Sequence, residues 1–418
     1  MLAAMALPTT APRRQHHLVH RLQRCFRRLS NVVRFRRRLQ YALVLGLLVC
    51  LYGLVASTSY RAAIAADATT TIVLVANYRD SDRCAETLAS LFMQAARPDL
   101  IAVSIVDQIT SDETPCYESY CNRVGASRCL QHQLRRNATI DAMLATGPTA
   151  ARFEAERAVD AARDTFVLSI DAHLLFVHHW DVLLKGEWAA TGNAKAVLTT
   201  YPKSTDHAET LVGRLLHAIG ISAMPIMCRA RIETDDADAM VQYGSALQLW
   251  LPVAPRTPWL IAQLAGGFNF GLATTALAVR NDPYTPYLFH GEEYSKAARL
   301  FTHGFDMYAP RIDIVYHRYE ARKVVWERDW DTRYWIQQAS RRRVRYLLGL
   351  PVSTMSDVDL SEAARFGLGN ERSMAQFQRF SGIDPAAPFG VGKEPQFDNC
   401  HELTRVPAAS DRRPSRLR

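Results

Sequence analysis

From residue 71 onward, short unbroken apolar runs take turns with stretches whose apolar residues recur every three or four positions. Thr71–Asn77 is an apolar run of strand length and reads as a buried strand. Ser81–Ala96 carries its apolar residues at helical spacing and stops at Arg97-Pro98, because proline cannot continue a helix. Leu100–Val106 is the next apolar run. Strand, helix and strand within 36 residues form a βαβ unit, whose crossover is right-handed. Ala151–Arg163 reads as a helix feeding a strand that ends at Asp171, and Ala196–Tyr201 reads as a further strand. Gly291–Thr302 is helical, with short strands expected around Phe305–Tyr308 and Asp313–His317. Residues 109–137 are rich in cysteine and read as irregular, and 202–265 read as loops over one face. This rhythm predicts an α/β fold with a mostly parallel sheet flanked by helices. The tail from about Val406 carries Pro, Ser and Arg and is expected to be disordered.

Charge is distributed unevenly. The net charge of +9 belongs to residues 1–40, which hold ten arginines and no Asp, Glu or Lys. The rest carries 40 basic against 41 acidic side chains. An arginine-rich arm is one way to bind nucleic acid, but the adjoining segment argues otherwise. Leu39–Tyr60 is a run of 22 uncharged residues, long enough to cross a bilayer core of about 30 Å. Arg34, Arg36, Arg37 and Arg38 precede it, and only Arg61 stands closely after it. The positive-inside rule then leaves the N-terminus in the cytosol and translocates everything after Arg61. Ala63-Ile64-Ala65 resembles a cleavage site, but the preceding charged region and the apolar span are both long for a cleaved signal. The expected plan is a cytosolic tail over 1–38, a transmembrane signal-anchor over 39–60 and a short stem over 61–70. A luminal domain over 71–400 and a disordered tail over 401–418 complete it.

Six cysteines lie beyond the span: Cys84, Cys116, Cys121, Cys129, Cys228 and Cys400. They allow 15 pairings, and spacing does not choose among them. Cys116, Cys121 and Cys129 lack the Cys-x-x-Cys spacing of structural zinc, so a disulfide or a free thiol is the favoured reading. Asn137-Ala138-Thr139 is a glycosylation sequon that is usable in a lumen.

Candidate chemistry concentrates where the strand Thr165–Ile170 runs into Asp171-Ala172-His173. Alternate residues of a strand point the same way, so the acid and the imidazole leave its end on one side. A carboxylate oxygen with an imidazole nitrogen suits a divalent ion such as manganese. Trp180 and Asp181, just beyond, read as packing and capping residues. Glu292 and Glu293 open a helix, where acids complement the dipole.

Several segments now fall in order: Asn77-Tyr78-Arg79-Asp80, Gly147-Pro148-Thr149-Ala150-Ala151-Arg152, the Asp-x-His strand, and Gly266-Gly267-Phe268. Pro286-Tyr287-Leu288-Phe289-His290-Gly291-Glu292-Glu293, then Arg299–Asp306, Val315-Tyr316-His317 and Phe366-Gly367-Leu368-Gly369 complete the series. In this order and spacing, the chain from about Thr71 to Asp384 resembles the polypeptide α-N-acetylglucosaminyltransferases. More distantly, it resembles the polypeptide N-acetylgalactosaminyltransferases. The resemblance implies a glycosyltransferase-A fold, Rossmann-like, with UDP-GlcNAc as co-substrate and Mn2+ as the divalent metal. It implies transfer to Ser, Thr or hydroxyproline of a polypeptide, mucin-like acceptors included, with retention at the anomeric carbon. Asp171, His173 and His317 would hold the metal. Arg79, Asp80, Arg152 and Asp171 would meet the donor, and Glu292 and Glu293 would line the reacting centre. With the anchor, it implies a single-pass type II protein of the Golgi membrane, acting on secreted or membrane proteins and not on nucleic acid.

The chain departs from the pattern in three places. Ala172 replaces the usual Ser spacer, Leu174-Leu175 stands where relatives often carry Met-Arg, and residues 202–265 match poorly. The second departure bears on the donor and the third on the acceptor. The competing readings are another UDP-sugar on the same scaffold, and a non-catalytic glycan-binding relative.

Overall fold

The structure is a computed structural model that describes residues 66–207, 222–250, 257–320, 330–392 and 394–412. The arginine-rich arm and the span Leu39–Tyr60 lie outside these residues. Among the described residues no helix is long and apolar enough to cross a membrane.

From Ala68 onward the chain forms one compact unit around an eight-stranded mixed sheet. Its strands are β1 (Thr71–Tyr78), β2 (Ile101–Ile109), β3 (Gln133–Asp141), β4 (Phe166–Asp171), β6 (Ala196–Thr199), β10 (Trp259–Ile261), β11 (Phe268–Leu272) and β12 (Asp306–Ala309). Their spatial order is β10-β12-β6-β11-β4-β1-β2-β3. The strands β4, β1, β2 and β3 run parallel, whereas β11 lies antiparallel between β4 and β6. β1 is buried from Thr71 to Val75, and β2 along its whole length, because helices cover both faces of a parallel sheet. Helix Ser81–Gln94 turns Cys84, Leu88, Leu91 and Phe92 into one of these layers. Helix Pro148–Glu156 packs Ala151 and Ala155 against the other face, beside Ile72 and Leu74.

Two smaller sheets flank the large one. β5 (Leu174–Phe176), β13 (Val315–His317) and β7 (Lys203–Ser204) form the first, with His317 opposite Leu174 in register. The second joins β14 (Phe397–Asp398) to a long hairpin of β8 (Ser222–Ile232) and β9 (Val241–Trp250). The predicted βαβ unit is present, with its helix ending at Gln94. Helix Pro148–Glu156 starts earlier and stops sooner than its periodicity suggests. Regular elements stand where none were expected: within 109–137, read as irregular, helix Cys116–Val124 and the first part of β3, and within 202–265, read as loops, the strands of the hairpin.

The six cysteines pair as Cys84–Cys116, Cys121–Cys129 and Cys228–Cys400. The last ties β8 to the segment just after β14. Asn137 of the sequon is exposed on β3. The tail lies against the domain as far as Arg412, with Ala408 buried and Arg405 Nε 2.6 Å from Asp306. Helix Trp330–Leu347 carries a run of buried arginines. Arg341 meets Glu233 and Asp236, Arg342 meets Asp238 and Asp357, and Arg343 meets Asp282. Buried cations survive when each is paired, and the bonds to Glu233, Asp236 and Asp238 fasten the turn of the β8–β9 hairpin.

Candidate active site

Open α/β sheets bind ligands beyond the C-terminal ends of their parallel strands. There, β1, β2 and β4 deliver Ala76, Tyr78, Gln108 and Asp171 to a cavity of about 370 Å³. β9, β13 and the N-terminus of helix Glu292–Thr302 close it with Gln242, Tyr243, His317, Glu292 and Glu293.

One wall gathers Asp171, His173 and His317, whose ligating atoms lie within 4.8 Å of one another. Asp171 is the last residue of β4, and its amide donates to Gly267 O at 3.1 Å. His173 stands two residues later and is buried. His317 is 144 positions further on, but the β5–β13 register sets it beside Leu174, and Arg318 N donates to His173 O at 3.1 Å. The two imidazoles meet edge to face at 4.7 Å, and His317 Nε2 lies 3.6 Å from Asp171 Oδ2. His317 Nδ1 is buried with no hydrogen-bond partner.

Arg152, buried on helix Pro148–Glu156, bridges two carboxylates. Its Nη2 donates to Asp171 Oδ1 at 3.0 Å and its Nη1 to Glu292 Oε1. The second oxygen of Glu292 accepts from Thr149 Oγ1 at 2.7 Å. Burial alone would push the Asp171 carboxyl up, but the His317 contact and the Arg152 charge outweigh it and hold it well below the usual range. Glu293 has a different environment: Tyr201 OH donates to one oxygen and Gly266 N to the other at 2.7 Å. Burial dominates there and, with Glu292 alongside, pushes the Glu293 carboxyl up to about 7.

Two glycines make room for this arrangement. A Cβ on Gly267 would overlap Asp171 Oδ2, and one on Gly266 would stand 2.6 Å from Glu292 Oε1. Gly291, at φ 92°, precedes the helix where a Cβ would meet Met240 at 2.6 Å.

One carboxylate and two imidazoles in this cradle, one imidazole nitrogen lacking a partner, fit a divalent ion of the manganese type. The structure thus brings Asp171, His173, His317, Arg152, Glu292, Glu293 and Asp80 to one cavity. Arg79 stands apart: at φ 49° it turns its Nε to both oxygens of Glu113 at 3.1 Å. Asp80 lines the cavity, but its oxygens go to Arg83 and His173. Asp181 accepts from Ala96 N and Arg97 N at 2.8 Å, and Trp180 Nε1 donates to Leu91 O, so both are structural. Sequence reasoning missed Thr149, Tyr201 and Tyr243; only the Gly266-Gly267 pair signalled a close approach.

No curated protein matches the chain. Among solved structures it is similar to GalNAc-T7 with UDP, GalNAc and Mn2+, at 14% identity and a TM-score of 0.43, covering 74% of this chain and 56% of that one. It is also similar to the mannosyltransferase PcManGT from Pyrobaculum calidifontis in complex with GDP-Man and Mn2+ (12% identity, TM-score 0.39, 66% and 62% covered). S. aureus TarS 1–349 in complex with UDP-GlcNAc is similar at 12% identity and a TM-score of 0.40, with 68% of each chain covered. The chain therefore spans little more than half the length of the GalNAc-T7 chain. The family model described as Glycosyltransferase (GlcNAc) matches residues 70–134 and 117–387, and with most of its length matched the chain belongs to that glycosyltransferase family.

Proposed function

We propose that this chain is a metal-dependent glycosyltransferase that moves GlcNAc from UDP-GlcNAc to Ser, Thr or hydroxyproline of polypeptides, with retention. The observation that carries this reading is the meeting of Asp171, His173 and His317 beside the Arg152–Glu292 pair at the sheet's C-terminal edge. Family membership supports the reaction class and the GlcNAc donor.

Cleaving the sugar–diphosphate bond builds negative charge on the leaving oxygen. A Mn2+ ion held by Asp171, His173 and His317 would supply Lewis-acid stabilisation of that charge. Arg152 orients Asp171 and holds Glu292 away from it. Both oxygens of Glu292 are engaged, so this residue fixes the geometry of Arg152 and is poorly placed as a base. Glu293 has both oxygens engaged as well, by Tyr201 OH and Gly266 N. What sets it apart is burial, which pushes its carboxyl up to about 7, so it would meet a sugar or acceptor hydroxyl only by exchanging one of these partners. Gln108 and Tyr78 line the end of the cavity next to β1 and β2, where a nucleotide base fits. A type II Golgi anchor at Leu39–Tyr60 would present this domain to secreted acceptors.

The test is turnover of a panel of nucleotide sugars with Mn2+ and a Thr-rich peptide, the Asp171→Ala protein running alongside. UDP-GlcNAc transfer that is lost in the variant supports the proposal. Turnover of another donor keeps the metal chemistry and overturns the GlcNAc assignment. Absence of turnover with all donors overturns the enzyme reading.

A further inference from the structure

Asp80 stands at the N-cap of helix Ser81–Gln94, a position where aspartate ordinarily accepts from first-turn amides. It makes no such bond. Its Oδ1 accepts from Arg83 Nε at 2.6 Å, and its Oδ2 lies 3.1 Å from His173 Nδ1. The turn that brings it there is specific: Arg79 adopts φ 49°, and Asn77 Nδ2 donates to Ser81 Oγ at 3.2 Å. The same helix grips the chain on both sides of His173. Thr87 Oγ1 donates to Ala172 O at 3.0 Å and accepts from Leu174 N at 2.9 Å. One turn further, Ser90 Oγ accepts from Phe176 N at 2.8 Å.

An ionised carboxylate only accepts hydrogen bonds. We infer that Asp80, backed by Arg83, is a positioning residue that accepts a hydrogen bond from His173 Nδ1–H and so leaves Nε2 as the nitrogen that ligates a divalent cation. The helix cap has been exchanged for ligand orientation. Metal-bound imidazoles are held by such partners, and losing one costs about 10–100-fold in metal affinity. The inference rests on the reading of Asp171, His173 and His317 as a metal site.

The test uses the full chain and Mn2+ alone, without nucleotide. Free Mn2+ is followed by EPR during titration, and pulsed EPR reads the imidazole nitrogen couplings of the bound ion. Asp80→Ala should weaken Mn2+ about 10–100-fold and reduce the coupling from one imidazole. The metal-free protein should melt lower, because Arg83 and the buried His173 lose a partner, so the imidazole coupling and not the melting temperature decides the outcome. Asp80→Asn, which keeps an acceptor oxygen, should fall between Asp80→Ala and the parent. Arg83→Met, which frees Asp80 without removing it, should weaken Mn2+ less than Asp80→Ala, and it carries the test should Asp80→Ala fail to fold. Mn2+ binding by the variants equal to the parent's, with both couplings intact, overturns the inference while sparing the metal site. A parent protein that binds no Mn2+ overturns the metal site and the inference together.

Discussion

Replacing Arg152 with methionine tests the electrostatic logic of the site most directly. The side chain is buried and serves Asp171 and Glu292 at once. Methionine fills similar volume but leaves two carboxylates facing each other without a cation. Breaking a buried pair on one side costs about 3–5 kcal/mol. The Asp171 side chain is 23% exposed to the cavity, so water recovers part of the loss, and about 3 kcal/mol is the expected penalty. With an unfolding entropy of about 2.1 cal/mol/K per residue over roughly 350 residues, the melting temperature should fall by about 4 °C. Two companion measurements separate charge from packing. Adding Glu292→Gln to Arg152→Met removes one orphan and should restore part of the loss. Mn2+ should raise the melting temperature more in Arg152→Met than in the parent, because the ion then neutralises an uncompensated Asp171. Unchanged melting in the single variant, or an equal Mn2+ increment in both proteins, would refute the reasoning.

Other parts of the structure carry three further predictions. Glu293 has a folded pKa of about 7, raised by burial, so its stabilising contribution is complete below its ordinary value, which is near 4.5, and is lost as pH rises through 7. Glu293→Gln should flatten the fall of melting temperature between about pH 5 and 7.5; a parent-like slope would sink that assignment. Opening Cys228–Cys400, which closes 172 residues, by a double Cys→Ser change should cost up to about 5 kcal/mol by loop entropy, read by denaturant titration; no change would show that the bridge adds nothing. Gly267→Ala should weaken Mn2+ binding about tenfold, within the range for disturbed ligand support, because its methyl group displaces Asp171. Gly186→Ala, with open space around it, should bind as the parent does.

The elements that sequence patterning located best are the ones buried on both faces. β1 and β4 are mostly apolar runs of strand length, too short for helices of the same character, and the acid at the end of β4 is visible as a break in that run. β3 was hidden because it is an exposed edge strand whose Gln-Leu-Arg-Arg-Asn-Ala-Thr run has no apolar stripe. β8 carries Pro225, which demotes a strand in any reading by propensity. The arginine run of helix Trp330–Leu347 looks like a solvated face, yet its partners are acids more than a hundred positions earlier for Arg341 and Arg342. Within the site, the Asp-x-His ligands and Glu292 were legible as motif residues. The bond from Tyr201 to Glu293 and the one between Asp80 and His173 were not, since each spans more than ninety residues and leaves no local pattern.

The pairing of β5 with β13 makes the three ligands one mechanical body. His317 is held to its place by ladder bonds opposite Leu174, one residue from His173. A strand has a period of two, so a slip of one residue would turn His317 to the opposite face and bring a neighbour into its place. The register of this pairing therefore acts as a ruler for the site. A one-residue shift of β13 against β5 would silence the ligand set with every ligand still present, whereas substitutions that keep this register would leave the spacing of the ligands intact.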